Sequence, residues 1–307
     1  MHALPPLTAE EGNHAGVQAK EARKQAATLT RTHPLDAANS GFDVDTVIAD
    51  TRAITRPGVR RGGSPQELEA ANYILGRLRA VGFEPRVETF PLPNGLTSRN
   101  IIVVIPGSDP RRIVVGAHFD SKPPAPGAND DAVGDAALLE LARGVLERPV
   151  VPTVEFDFFG TEEYIDTTPG HHHYGSRFRV ASMSAAERDR IAGMMTLDLL
   201  AVGSQLHART MGIGTMNMAK YVMASAKRAG VPMTYLRDPG SSGWADHEPF
   251  EKAGIPAVWI ERLTDPAYHA TGDTVAHLQR ARLAETLAVA DQALHGLTTA
   301  DLEALRR

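Results

Sequence analysis

The chain has 307 residues and a net charge of −5, with no run of basic residues and few aromatic side chains. This acidic balance argues against nucleic acid as a partner. The absence of cysteine excludes a disulfide framework, a thiolate zinc site and a cysteine nucleophile. No apolar run approaches the roughly 18 residues of a membrane helix, so we expect no membrane span.

The first part of the chain differs in composition from the rest. Residues 1–42 are polar and Ala-rich, and we expect them to form a polar N-terminal extension. The spacing over residues 17–29 permits a helix, but the composition favours a solvated or loosely docked arm. Residues 43–307 are long enough for one large α/β core, so we expect a single catalytic domain.

The first strong helix signal begins at Ser64. Ser64 is a good N-cap, Pro65 suits the first helical turn, and Glu67 is placed for a capping box. Apolar residues follow at helical spacing until Gly82, which is a typical helix stop. The pattern predicts an amphipathic helix between Pro65 and Gly82.

Short apolar runs then alternate with helical patterns. Such alternation predicts an α/β fold with a largely parallel sheet buried on both faces. The predicted strands cover residues 101–105, 113–117, 154–159, 194–199 and 257–260, and the clearest predicted helices cover residues 132–146 and 218–229.

Acidic and histidine side chains fall at the carboxyl ends of these predicted strands. His118 follows one strand, Glu162 and Glu163 follow the next, and Asp198 lies near the end of a third. In open α/β sheets, ligands bind at this edge. Asp198 lies between two leucines, where an unpaired carboxylate would be costly, so we expect a cation or an arginine beside it.

Five residues have local sequence contexts that suit metal ligands. They are His118, Asp130, Glu163, Asp198 and His269. Zinc takes imidazole nitrogen and carboxylate oxygen, and a catalytic zinc keeps one position for water. Two histidines and three carboxylates suffice for two zinc ions if Asp130 bridges them. The remaining positive charge would favour deprotonation of a water at neutral pH, so the sequence predicts a hydrolase.

The neighbours of these residues suggest further roles. Asp120 lies two residues after His118 and would fix the tautomer of its imidazole. Glu162 precedes Glu163, and we predict that it is the general base, which accepts a proton from water and returns it to the leaving group. Asp131 precedes an Ala/Leu-rich helix, where a plain N-cap is the simpler interpretation.

Residues in the last part of the chain, and one loop, complete the candidate site. We predict that Tyr268, Trp244 and Asp246 contribute to substrate binding, beside the predicted ligand His269. The three histidines at 171–173 look like a metal site. Their Gly/Pro/Thr-rich surroundings favour a loop over the rim of the pocket instead.

Several motifs occur in a characteristic order along the chain. They are H-x-D (118–120), G-A-N-D-D-A (127–132), E-E (162–163), Y-G-S (174–176), L-D-L (197–199), D-H-x-x-F (246–250) and Y-H-x-T-x-D-T (268–274). From about residue 65 to 280 the chain therefore resembles the co-catalytic zinc aminopeptidases typified by bacterial leucyl aminopeptidase. The resemblance implies a three-layer α/β/α sandwich around a mixed, mostly parallel sheet. It also implies removal of N-terminal residues from peptides with a free N-terminus.

The same resemblance implies how the ligands are shared. His118, Asp130 and Asp198 would bind one zinc ion, and Asp130, Glu163 and His269 would bind the other. Residues 1–16 lack the basic start and apolar stretch of a signal peptide. We therefore expect a secreted or periplasmic protein if a signal peptide was removed, and a cytoplasmic protein otherwise.

Glutaminyl cyclases belong to the same superfamily and convert N-terminal Gln to pyroglutamate at a single zinc. The segments H-F-D-S-K (118–122) and L-D-L-L (197–200) resemble that subgroup, which uses tryptophans near its site. Here Tyr268 precedes His269, and the chain has only Trp244 and Trp259. We therefore predict an aminopeptidase first, a glutaminyl cyclase second, and a non-catalytic binding module on the same fold third.

Overall fold

The structure, a computed structural model, describes residues 42–168 and 170–307. The predicted helix over 17–29, and all but the last residue of the predicted extension, lie outside the described residues. The strands are β1 Arg86–Pro91, β2 Thr97–Ile105, β3 Asp109–His118, β4 Pro152–Phe159, β5 Ile191–Leu197, β6 Gln205–Thr210, β7 Met233–Arg237 and β8 Ala257–Leu263. The helices are α1 Val44–Thr55, α2 Pro65–Ala80, α3 Val133–Glu147, α4 Tyr174–Ser182, α5 Ala185–Arg190, α6 Asn217–Arg228, α7 His247–Lys252, α8 Arg280–His295 and α9 Thr299–Leu305.

All eight strands form one mixed sheet in the order β1-β2-β4-β3-β5-β8-β6-β7. The four central strands β4, β3, β5 and β8 run parallel to one another. Strand β2 pairs antiparallel with β4, and β6 pairs antiparallel with β8. The centre of the sheet, where the predicted functional residues follow the strands, is therefore parallel. Antiparallel pairs occur on both sides of this centre.

Successive side chains of the central strands enter two different apolar cores. Ile113 and Val115 of β3 belong to the larger core, which also includes residues of α1, α2, α3, α6, α8 and α9. Val114, between them, belongs to a smaller core with Val180 of α4 and Phe250 of α7. Because alternate residues of a strand point to opposite faces, the sheet has helices on both sides. This three-layer arrangement confirms the predicted α/β/α fold class.

The predicted helix after Ser64 is confirmed, but the predicted capping box is incomplete, because Glu67 Oε2 accepts the Gly63 N–H and not the Ser64 N–H. The Ser64 side chain accepts a hydrogen bond from the Glu67 N–H, and Pro65 occupies the first turn of α2. The helix ends at Ala80, and Gly82 follows with a φ of 95°. Ile74 and Leu78 of α2 are buried in the larger core. Among the residues that the structure describes, no helix is both long and apolar enough to cross a membrane.

Candidate metal centre

The five predicted metal ligands lie around the carboxyl edge of the four parallel strands. His118 is the last residue of β3, and Asp198 directly follows β5. Glu163 lies four residues beyond the end of β4, and His269 lies in the segment after β8. Asp130 lies in the turn between β3 and α3. The parallel direction of the central strands therefore brings together residues that are far apart in sequence.

Asp130 lies between the two histidines. His118 Nε2 is 3.3 Å from Asp130 Oδ1, and His269 Nε2 is 3.0 Å from Asp130 Oδ2. His269 Nε2 also lies 2.9 Å from Glu163 Oε1. Ligand atoms around a tetrahedral zinc lie roughly 3.3 Å apart, because each bond is about 2.0–2.1 Å long. These separations match those of side chains that share a cation, with the Asp130 carboxylate common to two groups.

Three buried carboxylate oxygens of this cluster accept no hydrogen bond of good geometry from the described residues, although two of them lie close to His269 Nε2. They are Asp130 Oδ2, Glu163 Oε1 and Asp198 Oδ1. An unpaired buried charge is costly, and the predicted alternative, an arginine hydrogen-bonded to this oxygen of Asp198, is absent from the described residues. The donor set therefore fits metal cations.

The electrostatics of the cluster favour the binding of a cation. Burial, followed by repulsion from Asp130, raises the pKa of Asp198 well above its ordinary value. The same two causes raise the pKa of Glu163 to about 7. At Asp130, the nearby His118 and His269 outweigh the effect of burial and lower the pKa. A cation between these groups would favour their charged forms.

Asp131 is oriented differently from its neighbour Asp130. Its Oδ1 accepts the Gly134 N–H at 3.2 Å, and its Oδ2 accepts the His118 N–H at 3.3 Å. The ligand atoms of His118, Asp131 and Asp198 lie within 4.8 Å of one another, and so do those of Asp130, Glu163 and His269. Both Asp131 oxygens already accept backbone hydrogen bonds, whereas Asp130 Oδ2 accepts none of good geometry. Asp131 was predicted to be the N-cap of α3, but that position belongs to Ala132; Asp131 contacts the first turn of the helix through Gly134.

Asp120 connects the two segments that carry the ligands. Its Oδ1 lies 3.2 Å from His118 Nδ1 and accepts the Glu162 N–H at 2.9 Å. Its Oδ2 accepts the Glu163 N–H at 3.1 Å. When the His118 Nδ1–H donates a hydrogen bond to Asp120, the other ring nitrogen is left with a lone pair toward Asp130. Asp120 therefore orients a histidine and also the backbone of Glu162 and Glu163.

Two residues that the sequence reasoning did not select hold the segment around Asp130. The Asp273 carboxylate accepts the Asn129 N–H at 2.7 Å and the Asp130 N–H at 3.2 Å. Arg60 is fully buried, and its guanidinium donates to the carbonyl oxygens of Phe119 at 2.7 Å and Gly127 at 2.9 Å. Among the described residues, the hydrogen bonds of the Arg60 guanidinium all go to backbone carbonyl oxygens. No local sequence motif predicts that an arginine will be buried in this way.

The environment of Glu162 differs from that of Glu163. Its Oε2 lies 3.9 Å from His118 Nε2, and its Oε1 lies 2.9 Å from His173 Nε2. Burial raises its pKa, but the nearby His173 and His118 outweigh burial and lower it. His173 is thus inside the site and buried, whereas the sequence predicted a loop at the rim. Its second nitrogen, Nδ1, lies 2.6 Å from Glu248 Oε2.

The cluster opens into a cavity of about 370 Å³. Asp130, Glu162, Glu163, Asp198 and His269 line it together with four other polar residues: Lys122, His172, His173 and Ser242. Three aromatic side chains that also line it are partly exposed: Trp244 (54%), Tyr268 (50%) and Tyr164 (43%). Asp246, a predicted substrate-binding residue, is fully buried, accepts a hydrogen bond from the Ser176 hydroxyl and is not among the lining residues.

Histidine and carboxylate groups at the carboxyl edge of an α/β/α sandwich form a candidate metal centre. Residues 100–294 match peptidase family M28, and the chain belongs to that family.

Two curated proteins illustrate this relationship. The chain is 32% identical over 209 residues to leupeptin-inactivating enzyme 1 of Streptomyces exfoliatus, a match that covers 67% of this chain and 45% of that protein. It is 31% identical over 200 residues to aminopeptidase YwaD of Bacillus subtilis, with 61% of this chain and 42% of that protein covered. The chain therefore spans about half the length of the curated relatives that it matches.

Solved structures have the same fold. A zinc aminopeptidase from Bacillus subtilis superposes with a TM-score of 0.75 at 18% identity, covering 83% of this chain and 95% of that chain. A glutaminyl cyclase from Bacteroides thetaiotaomicron superposes with a TM-score of 0.73 at 23% identity, covering 84% and 99%. Both similarities concern the fold alone.

Proposed function

We propose that this chain is a zinc-dependent aminopeptidase that removes N-terminal residues from peptides, with residues 43–307 as one catalytic domain. The observation that carries the proposal is the position of Asp130, whose two carboxylate oxygens face two different histidines. Membership of peptidase family M28 and the name of the Bacillus subtilis relative support hydrolysis of peptide bonds.

Two zinc ions per chain agree with the donor set. His118, Asp130 and Asp198 would hold one ion, and Asp130, Glu163 and His269 would hold the other. When bound, zinc would supply Lewis-acid chemistry, which activates a water molecule and polarises the scissile carbonyl.

Glu162 has the properties of the general base. It lines the cavity, and the lowered pKa keeps its carboxylate charged at neutral pH. Its Oε1 is engaged by His173, so Oε2 is the oxygen that would accept a proton from water. The same oxygen would then return the proton to the departing amine.

The cavity suits the end of a peptide. Glu162 is the acidic lining residue that is not assigned to a metal ion, and its charged carboxylate would attract a free, positively charged N-terminal amine. Tyr164, Trp244 and Tyr268 are available to pack against the first side chain of an apolar substrate. A substrate with an acetylated N-terminus would lose the charge attraction, so blocked peptides should be poor substrates.

The test combines metal content with three substrates. Zinc per chain is measured on purified protein beside hydrolysis of Leu-p-nitroanilide, hydrolysis of its N-acetyl form and cyclisation of an N-terminal Gln peptide, each with and without chelator. We expect about two zinc ions per chain and chelator-sensitive hydrolysis of the unblocked substrate only. One zinc ion with cyclisation would instead support a glutaminyl cyclase, for which the exposed Trp244 in the cavity is the favouring observation.

Glu162→Gln separates the base from the metal site. This variant should retain zinc and lose at least about 100-fold in kcat, because general-base catalysis contributes roughly 10²–10⁴-fold. Glu69→Gln, at a half-exposed position that pairs with Arg56, is the matched control and should behave as the unmodified protein. Unchanged turnover in Glu162→Gln would remove Glu162 from the base role.

A further inference from the structure

His173 connects the predicted general base to a second carboxylate. Its Nε2 lies 2.9 Å from Glu162 Oε1, and its Nδ1 lies 2.6 Å from Glu248 Oε2. The side chains of all three residues are buried. Because a carboxylate contacts each ring nitrogen, the orientation of the His173 ring is fixed by two hydrogen bonds.

The backbone around His173 is also held in place. The His173 N–H donates to the Glu162 carbonyl oxygen at 2.6 Å, and the Tyr174 N–H donates to the Thr161 carbonyl oxygen at 2.9 Å. His173 has a φ of 52°, a left-handed conformation that costs a residue with a Cβ about 1–3 kcal/mol. Local preference therefore does not explain this conformation, and the contacts around His173 must maintain it.

His172 packs against His173 and limits its movement. The His172 and His173 rings meet edge to face with their centroids 3.9 Å apart. The Tyr164 ring packs against His172, and the distance between these two centroids is 4.5 Å. Burial and the nearby His173 lower the pKa of His172 to about 4, so His172 is neutral at ordinary pH. It can therefore pack against His173 without adding charge.

Glu248 is already balanced by cations of the chain. Lys252 pairs with its Oε1, and Arg177 Nη2 lies 3.6 Å from its Oε2. His172, His173 and Glu248 are close enough to hold a metal ion, but these two side chains supply the positive charge that a metal would bring. The arrangement is better explained as a support for His173.

We propose that His173, supported by Glu248, is a positioning residue that holds Glu162 in the orientation needed for proton transfer. This inference rests on the proposed function, in which Glu162 is the general base. The contact at Oε1 prevents rotation of the carboxylate and leaves Oε2 toward His118 and the cavity. Without His173, the carboxylate would sample orientations that do not align with the reacting water.

The experiment compares His173→Ala, His173→Gln and the control His171→Gln. His171 belongs to the same histidine triplet, but it is partly exposed and pairs with Asp166 at 2.9 Å. Loss of an orienting partner typically costs 10–100-fold in activity. We expect kcat for Leu-p-nitroanilide to fall by about 10–100-fold in His173→Ala, with KM and zinc content unchanged. The Gln variant should retain more activity, since its amide can still donate to Glu162.

A second measurement does not depend on turnover. The imidazole N–H protons of His173 should resonate far downfield in the proton NMR spectrum of the unmodified protein, and the signal should be absent from His173→Gln. Glu162→Gln and Glu248→Gln should each shift that signal, because each removes a charged acceptor from one ring nitrogen. A thermal melt of each variant distinguishes loss of orientation from unfolding at the assay temperature.

The outcomes separate this inference from the proposed function. An active unmodified protein with unchanged kcat in His173→Ala would overturn the positioning role and leave the aminopeptidase proposal intact. Loss of zinc in step with kcat would also overturn it, since His173 would then be a ligand. If the unmodified protein hydrolyses no peptide substrate, the proposed function fails, and the NMR signal still tests the His173–Glu162 contact.

Discussion

The substitution Asp120→Asn tests how the ligand segments are held together. Asp120 is fully buried, and its two oxygens serve His118 Nδ1 and the N–H groups of Glu162 and Glu163. An asparagine keeps one oxygen and replaces the other with an NH₂ group. If the oxygen stays at the Oδ1 position, the NH₂ group faces the Glu163 N–H, and two donors meet without an acceptor.

The reverse orientation of the amide is no better. The NH₂ group would then face the Glu162 N–H, and His118 Nδ1 would have to accept a hydrogen bond. Its proton would move to Nε2, the nitrogen that faces Asp130, where it would block metal binding. A buried donor left without a partner costs about 1–3 kcal/mol. The outer partners of metal ligands typically contribute 10–100-fold in metal affinity.

We therefore expect Asp120→Asn to lower the free energy of unfolding of the metal-free protein by about 1–3 kcal/mol. Zinc affinity should fall by about 10–100-fold. Urea unfolding gives the first quantity, and competition with a chelating dye gives the second. The control is Asp189→Asn, where the carboxylate is 79% exposed. Wild-type zinc affinity and wild-type stability in Asp120→Asn would refute this account of Asp120.

Three further predictions concern zinc, packing and pH. Asp130→Asn should lower bound zinc together with activity, and a full zinc complement measured by elemental analysis would contradict the shared position of Asp130. Gly134→Ala should lower stability by about 1–3 kcal/mol in urea unfolding, because its Cβ would lie 2.4 Å from the Leu197 carbonyl oxygen. Gly76→Ala, with no atom within 4 Å of the added Cβ, should be neutral or stabilising. Burial, followed by repulsion from Asp120, raises the pKa of Glu67 to about 7, above its ordinary 4.5. The protonated form is thus favoured in the folded state, so stability relative to Glu67→Gln should be greatest below about pH 4.5 and fall by up to about 3 kcal/mol as pH rises through 7.

The pH prediction is checked by urea unfolding of both proteins from acid to alkaline pH. The difference between their free energies should decrease steadily as pH rises. A difference that stays constant, or that increases with pH, would mean that Glu67 is already charged in the folded protein at neutral pH. A shallow slope confined to acid pH would lead to the same conclusion.

Much of the fold follows from local sequence patterns. The central strands are rich in apolar residues because they are buried on both faces, and β4 and β5 are buried at every position, including Glu155 and Asp157 of β4. The edge strands β1 and β7 were missed because they are largely exposed or half-buried and lack such runs. Strand β6 was missed because Arg209 interrupts it. That residue is buried, and its charge is balanced by Glu261 on the adjacent strand β8 and by Asp238.

The candidate site divides in the same way. His118, Asp130, Glu163, Asp198 and His269 could be selected from sequence because each has a distinctive local motif at or after a strand. The roles of Asp273 and His173 could not be predicted from sequence, because the residues that they contact are far away along the chain and no local motif indicates them. Asp273 binds the backbone 143 and 144 residues earlier in the chain, and His173 meets a carboxylate 75 residues later.

By itself, the sequence determined which residue types follow each buried strand, since apolar periodicity and capping residues act over a few positions. It therefore predicted an α/β sheet with histidines and carboxylates at one edge. Only the tertiary structure decided that the two oxygens of Asp130 face different histidines, that Asp131 is occupied by backbone donors, and that Glu162 contacts His173. These facts depend on side-chain orientation within about 3 Å, which arises from contacts between distant segments and not from the local pattern of any one of them.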